Sequence, residues 1–218
     1  MSAVSDAITP SAFDASEGVG DWRVLFGGAT ANFETGTFAT GVALIGRIGE
    51  LADAANHHPD VDLRYGSVTV RLISHDVGTI SRRDADLARQ VSLAAAELGA
   101  TARPDTVQAV QFAIDAHVHA DVMPFWRAVL GYAARGEEDL DDPLGRGPSI
   151  WFQQMDPPRT GRNRIHVDIC VPPDQGESRV AAALAAGGTL VSSHAPTWWT
   201  LADAEGNEVD VATMAGRE

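Results

Sequence analysis

The sequence predicts an α+β protein of two domains, and three observations carry that prediction. At 218 residues the chain exceeds the roughly 100 to 200 residues of a typical single domain. Its apolar residues recur first at three- and four-residue steps and then by alternation, the periods of a helix and of half-buried strands. A Gly/Pro/polar stretch, "GATARPDT" at 99–106, separates this pattern from a second one, and such composition marks a boundary. The expected domains are residues 1–100 and 107–215.

The first half begins with strand-type residues in "WRVLFGGATANF" (22–33). Phe38, Val42, Ile45, Ile48, Leu51 and Ala55 then form a helical stripe that should bury one face on a sheet. Gly41, Gly46 and Gly49 interrupt it; each costs about 1 kcal/mol against Ala in a helix interior, so they are expected to permit close backbone approach. Val61, Leu63 and Tyr65 alternate with polar residues, and Val68, Val70 and Leu72 alternate on the opposite parity. That switch at Gly66 predicts a β-bulge or a tight bend. "SRRDADLARQVSLAAAELGA" (81–100) opens with a Ser-x-x-Asp capping box and continues as a helix.

The second half reads as strand (Val107 to Ile114), helix (Asp121 to Leu130), strands through "SIWFQQM", strand ("RIHVDICV"), helix ("ESRVAAALAAGG") and strands again. A βα-then-β order thus occurs twice, the mark of a structural duplication. Trp198 and Trp199 begin a strand, where one ring should face the core and the other the cavity or solvent. His117 and His119 fall in a loop before the helix and are expected to be solvated. Arg159, Arg162 and Arg164 decorate an expected solvated hairpin.

Composition narrows the function classes. Thirty acidic against sixteen basic residues give a net charge of −14, which repels phosphate backbones and argues against nucleic acid as a partner. No apolar run approaches the roughly 20 residues of a membrane span, and the N-terminus lacks a basic region followed by an apolar one, so no secretory signal is expected. Cys170 is the only cysteine, which fits a reducing cytoplasm.

"DAANHHPDVDLRY" at 53–65 places two of the chain's seven histidines side by side. On a helix, Asp53 shares a face with His57 four residues on and can support it, with Pro59 ending the helix so that both rings sit at its end. His75 follows at the end of the next strand, and Asp84 in the first turn of the next helix. Imidazoles, with a reference pKa of about 6.5, and carboxylates suit proton transfer at neutral pH. A second reading remains open on pattern alone: His-His-Pro merely ends a helix, and Asp84 merely caps one. Metal binding is the weakest reading, because adjacent histidines on one helix diverge.

Read together, Asp53, His57, His58, Pro59, Tyr65, His75 and Asp84 have the spacing D-x3-H-H-P-x5-Y-x9-H-x8-D, which resembles the signature of the pterin-4a-carbinolamine dehydratases. The likeness spans about residues 8–100 and includes the Leu72–Gly78 context. It implies an antiparallel sheet covered on one face by helices, a dimer or tetramer, and no cofactor. The implied reaction dehydrates a 4a-hydroxytetrahydropterin to quinonoid dihydropterin, with His57 and His75 as acid and base. The resemblance also implies that His58 orients the pterin and Asp84 positions His75. Asp53 stands where many members have Glu.

"VQFAIDAHVHADVMPFWRAVLGY" (110–132) and "RIHVDICV…DAEGNEVDV" (164–211) resemble the glyoxalase/bleomycin-resistance, or vicinal-oxygen-chelate, superfamily over about residues 107–214. This implies two βαβββ modules paired around one cavity that takes a small ligand. It also puts Gln111, Gln153, His166 and Asp210 at the positions that bind a divalent metal in metal-dependent members. Two amides, one imidazole and one carboxylate are a weak set for Fe, Ni, Zn or Mn, so a polar-lined cleft is the competing expectation. Two rival assignments follow: the second half acts as a metal-dependent lyase, dioxygenase or small-molecule-binding protein, or the first half only oligomerises.

Overall fold

The computed structural model describes residues 6–156, 167–171, 173–213 and 215. The chain forms two compact units, divided between Ala109 and Val110, each described by itself.

In the first unit, strands β1 (Arg23–Leu25), β2 (Gly28–Glu34), β3 (Asp60–Arg64) and β4 (Ser67–Leu72) form an antiparallel sheet in the order β1-β2-β4-β3, with β5 (Thr101–Ala102) pairing β2. A short helix α1 (Pro10–Asp14) precedes them, and two longer ones, α2 (Phe38–Ala55) and α3 (Arg82–Glu97), supply the rest of the core. Ala29, Ala31 and Phe33 of β2 and Val68, Val70 and Leu72 of β4 alternate inward and pack with Leu44, Ile48, Leu87, Ala88 and Val91 of these helices. The parity switch resolves as a tight bend: Tyr65 and Gly66 form a two-residue turn, so Leu63 lies opposite Val68 and Val61 opposite Val70. In such a hairpin, partners on one face have opposite parity.

Helix α2 keeps Ile45, Ile48 and Leu51 of the expected stripe against the core, but its buried face is centred one step round from the rest. Gly41, Leu44, Ile48 and Ala52 are buried, while Phe38 and Val42 are about half exposed and Ala55 is exposed. Apolar residues surround much of this helix, so periodicity allows more than one phase, and the contact with the sheet selects one. A Cβ at Gly41 would meet Leu63 Cδ1 at 2.6 Å, which makes this glycine the close approach. Gly46 and Gly49 face open space, so the expected role does not extend to them.

The second unit contains the same motif twice. Strand β6 (Gln111–Ala116), helix α4 (His119–Leu130) and strands β7 (Ala133–Arg135), β8 (Asp139–Asp141) and β9 (Ser149–Gln154) form one module. Strand β10 (Val167–Cys170), a 3-10 turn at Pro173–Gln175, helix α5 (Gly176–Ala185) and strands β11 (Thr189–His194), β12 (Trp198–Ala202) and β13 (Glu208–Ala212) form the other. The sheet orders β6-β9-β8-β7 and β10-β13-β12-β11 are identical, and in each the first strand runs parallel to the last. One core of Phe125, Trp126, Phe152, Trp199, Leu201, Val209 and Val211 serves both modules. Trp199 faces that core, and Trp198, on the other side of its strand, stacks on His194 at 4.3 Å between ring centroids.

Two sequence motifs of this half meet through hydrogen bonds. Asp203, opening "DAEGNE", is buried and accepts the backbone N–H groups of Glu205 and Asn207 and the Asn207 side-chain amide. Its Oδ2 also accepts Trp126 Nε1–H at 2.9 Å from helix α4. Glu205 in turn accepts the N–H groups of His117 and Val118 at the start of that helix. Replacing Trp126 by Phe removes a charge-assisted bond to a buried carboxylate, and the expected loss is about 1.5 to 3 kcal/mol. Urea unfolding should show a lower midpoint at unchanged slope.

Candidate functional site

Helix α2 ends at Ala55 because Asn56 takes the left-handed conformation, φ 46°, which Asn tolerates better than most side chains. The His57 N–H then reaches back to the Ala52 carbonyl at 3.1 Å, a Schellman-type closure. Both histidines therefore lie beyond the helix, and Pro59 follows a stop already made. This corrects the expected support of His57 by Asp53. Once the chain has left the helix, four-residue spacing no longer sets a shared face, and Asp53 Oδ1 pairs with His58 Nε2 at 3.0 Å. That pair is open to water, with His58 60% and Asp53 82% exposed.

His57 turns inward. Its side chain is 7% exposed, and Nε2 lies 2.7 Å from Oδ1 of Asp84, which is fully buried. The capping box explains how the carboxylate arrives there: Ser81 caps α3, and Asp84, at its third position, accepts the Ser81 N–H at 2.6 Å through Oδ2. The same oxygen accepts Ser74 Oγ–H at 2.8 Å. Capping and a site role, competing explanations in the sequence, are thus met by different oxygens of one carboxylate.

The expected pairing of Asp84 with His75 is also corrected. Asp84 is taken by His57, Ser74 and Ser81, whereas the His75 side chain is exposed. His75 lies on a turn closed by the Ser74–Thr79 bridge and by the N–H groups of Val77 and Gly78 on the Ser74 carbonyl. Arg83 ties this turn to α3, holding both Asp76 oxygens at 2.8 and 3.0 Å and Asp6 through Nε at 2.8 Å. The Arg83 hydrogen bonds hold the Asp6 and Asp76 carboxyls below the ordinary carboxylate range and raise the Arg83 guanidinium. Tyr65, at the β3–β4 turn, is 82% exposed, and Pro59 is half-buried. Sequence reasoning gave no role to Ser74, Arg83 or Asp6, although the Ser81-x-x-Asp84 spacing and the Leu72–Gly78 context pointed toward this cluster.

In the second unit two of the four candidate metal positions, Gln111 and Gln153, stand apart. Strands β6 and β9 are parallel with Gln111 opposite Ser149 and Asp115 opposite Gln153. At about 3.3 Å per residue, Gln111 and Gln153 are offset by about 13 Å along the strands, too far to share an ion. Asp210 lies on β13 opposite Asp168, and His166 and the three arginines of the 157–166 segment lie outside the described residues. Among the described residues no three His, Cys, Asp or Glu side chains converge. The donor set does not fit a catalytic divalent ion. His117 is exposed, but His119, expected to be solvated, is the first residue of α4 with its Nε2 buried and unpartnered among the described residues. It borders a cleft of about 890 Å³ together with Met123, Arg127, Tyr132 and Glu138.

Residues 6–94 match the family described as Pterin 4 alpha carbinolamine dehydratase, and residues 111–212 match the Glyoxalase-like domain. A Nocardia farcinica protein provisionally named as a pterin-4-alpha-carbinolamine dehydratase is 38% identical over 71 residues, 33% of this chain and 75% of that protein. This chain belongs to the pterin-4-alpha-carbinolamine dehydratase family. A Roseiflexus sp. protein with the same provisional name is 41% identical over 27% of this chain and 63% of its own length, so the chain spans about two thirds to three quarters of these relatives. Among solved structures, a transcriptional coactivator/pterin dehydratase from Brucella melitensis is 26% identical and covers 40% of this chain and 97% of its own, with a TM-score of 0.36. A glyoxalase/bleomycin resistance protein/dioxygenase family enzyme from Burkholderia phytofirmans is 18% identical over 47% of this chain and 95% of its own, at TM-score 0.38.

The Arg83 network of this dehydratase-family chain has a signed pH dependence. Carboxyls whose folded values are lowered contribute stability above their unfolded range, of about 3.9 for Asp, and lose it as pH falls through the lowered values. The stability difference between the wild type and Arg83→Ala should therefore be full at neutral pH and shrink as pH falls below the ordinary carboxylate range. Urea unfolding of both proteins at a series of pH values checks this; a difference that grows in acid would contradict it.

Proposed function

We propose that the N-terminal half dehydrates 4a-hydroxytetrahydropterin, the 4a-carbinolamine, to quinonoid dihydropterin, acting as a hydro-lyase with His57 and His75 as acid and base. The observation that carries this reading is the buried Asp84 carboxylate on His57 Nε2 at 2.7 Å. A carboxylate behind an imidazole fixes its orientation and steadies the charge it gains on taking a proton. In the reaction the C4a–O bond breaks as the departing oxygen takes a proton and leaves as water. A ring nitrogen gives up its proton, and its electron pair forms the new C=N bond. One histidine serves each proton. His58, exposed beside Asp53, orients the pterin, with Tyr65 and Pro59 shaping the approach. This chemistry requires no cofactor.

The glyoxalase-like half is proposed as a small-molecule-binding domain, since its candidate metal positions supply amides that the strand register holds apart. Phe38 and Val42, half exposed on α2, support assembly of the chain into a dimer or tetramer through apolar surface. A cytoplasmic, pterin-metabolising enzyme is the setting that these proposals describe.

The test is the rate of dehydration of 4a-hydroxytetrahydropterin, followed spectroscopically against the uncatalysed reaction. The wild type should accelerate it, and His57→Ala and His75→Ala should each lower kcat by about 100-fold to 10,000-fold, the usual range for a lost acid or base. Wild-type protein that leaves the spontaneous rate unchanged would defeat the assignment and favour a purely oligomerising N-terminal half.

A further inference from the structure

Ser74 has no part in the reading above, yet it is buried at 1% exposure in contact with the His57–Asp84 pair. Its hydroxyl lies 2.7 Å from Ser81 Oγ and 2.8 Å from Asp84 Oδ2. The direction of the protons follows from the Asp84 end of this chain, where an ionised carboxylate can only accept. The Arg83 backbone N–H, which can only donate, lies 3.2 Å from Ser81 Oγ. Ser74 gives its single proton to Asp84 Oδ2, so in the Ser74–Ser81 contact Ser81 Oγ is the donor, while it accepts the Arg83 N–H on a lone pair. That oxygen also takes the Ser81 N–H at 2.6 Å. With two donors on Oδ2, and at a helix N-terminus that favours negative charge, Asp84 presents Oδ1 to His57 as an acceptor.

We infer that Ser74 is a positioning residue: the hydrogen-bond chain from the Arg83 N–H through Ser81 and Ser74 holds Asp84 as an acceptor and keeps the His57 proton on Nε2. The nitrogen left to exchange a proton with the substrate is then His57 Nδ1, which makes no hydrogen bond among the described residues. This rests on the dehydratase reading for its catalytic consequence but not for the tautomer itself. Without the Ser74 hydroxyl, Oδ2 loses one of its two donors, and the preference that pins the imidazole weakens.

Two measurements test it. Long-range proton–nitrogen NMR of the wild type, labelled at histidine and recorded above the ordinary histidine titration range, should show His57 protonated on Nε2 and bare on Nδ1. A proton on Nδ1 would overturn the inference whatever the enzyme does. Ser74→Ala should mix the two His57 tautomers and lower kcat about 10-fold at unchanged KM, and Ser74→Thr, which keeps a hydroxyl, should restore most of both. A Ser74→Ala protein with full kcat and an unmixed tautomer would likewise overturn it, and a merely structural Ser74 would not move the tautomer signal. Should the wild type turn over no pterin, the dehydratase reading falls while the NMR result still decides the tautomer.

Discussion

Asp84 has no exposed surface, and a carboxylate can leave water only where donors replace its hydration, since an unpaired buried charge is among the most costly groups in a fold. Its donors come from three separate pieces of chain. The Ser81 N–H belongs to the start of α3, the Ser74 hydroxyl to the turn that carries His75, and the His57 ring to the segment leaving α2. Satisfying one carboxylate therefore sets the relative positions of a helix start, a strand-end turn and a helix end. The histidines of the proposed site lie on two of those pieces. Arg83 extends the arrangement to the N-terminal segment through Asp6 and holds the His75 turn through Asp76.

The same physical requirement recurs in the glyoxalase-like half with a structural outcome. Asp203 is buried, accepts from Glu205, Asn207 and Trp126, and so joins the last hairpin of the second module to the helix of the first. Gly188 belongs to the same packing: a Cβ there would lie 2.4 Å from the Phe125 ring, so only a glycine lets the turn after α5 close on α4. In both halves a short polar motif that reads locally as a cap or turn also reaches across to another element, and that second contact is what orders the tertiary structure.

Much of this was legible because it is local or periodic. The capping box at Ser81, a bend or bulge at Gly66 and one core-facing ring of the Trp198–Trp199 pair follow from spacing and alternation; the structure makes the bend a two-residue turn and Trp199 the buried ring. The readings that needed correction all took a one-dimensional pattern for a contact in space. Asp53 was matched to His57 by helical spacing and Asp84 to His75 by the family resemblance, but Asn56 in the left-handed conformation turns His57 inward to Asp84 and leaves His58 to Asp53. The stripe on α2 was right at Ile45, Ile48 and Leu51 and wrong at Phe38, Val42 and Ala55, because the sheet contact at Gly41 and Leu63 centred the buried face.

By itself, the sequence determined the α+β class, the repeated βα-then-β order and the family to which the chain belongs, since these rest on periodicity and on residue types at fixed spacing. Only the tertiary structure decided which carboxylate serves which histidine, that Ser74 joins the cluster, and that Gln111 and Gln153 stand apart on neighbouring strands. The reason is physical: hydrogen-bond partners are fixed over a few ångströms in space, and a single left-handed residue or strand register changes which side chains meet without altering the motif that names them.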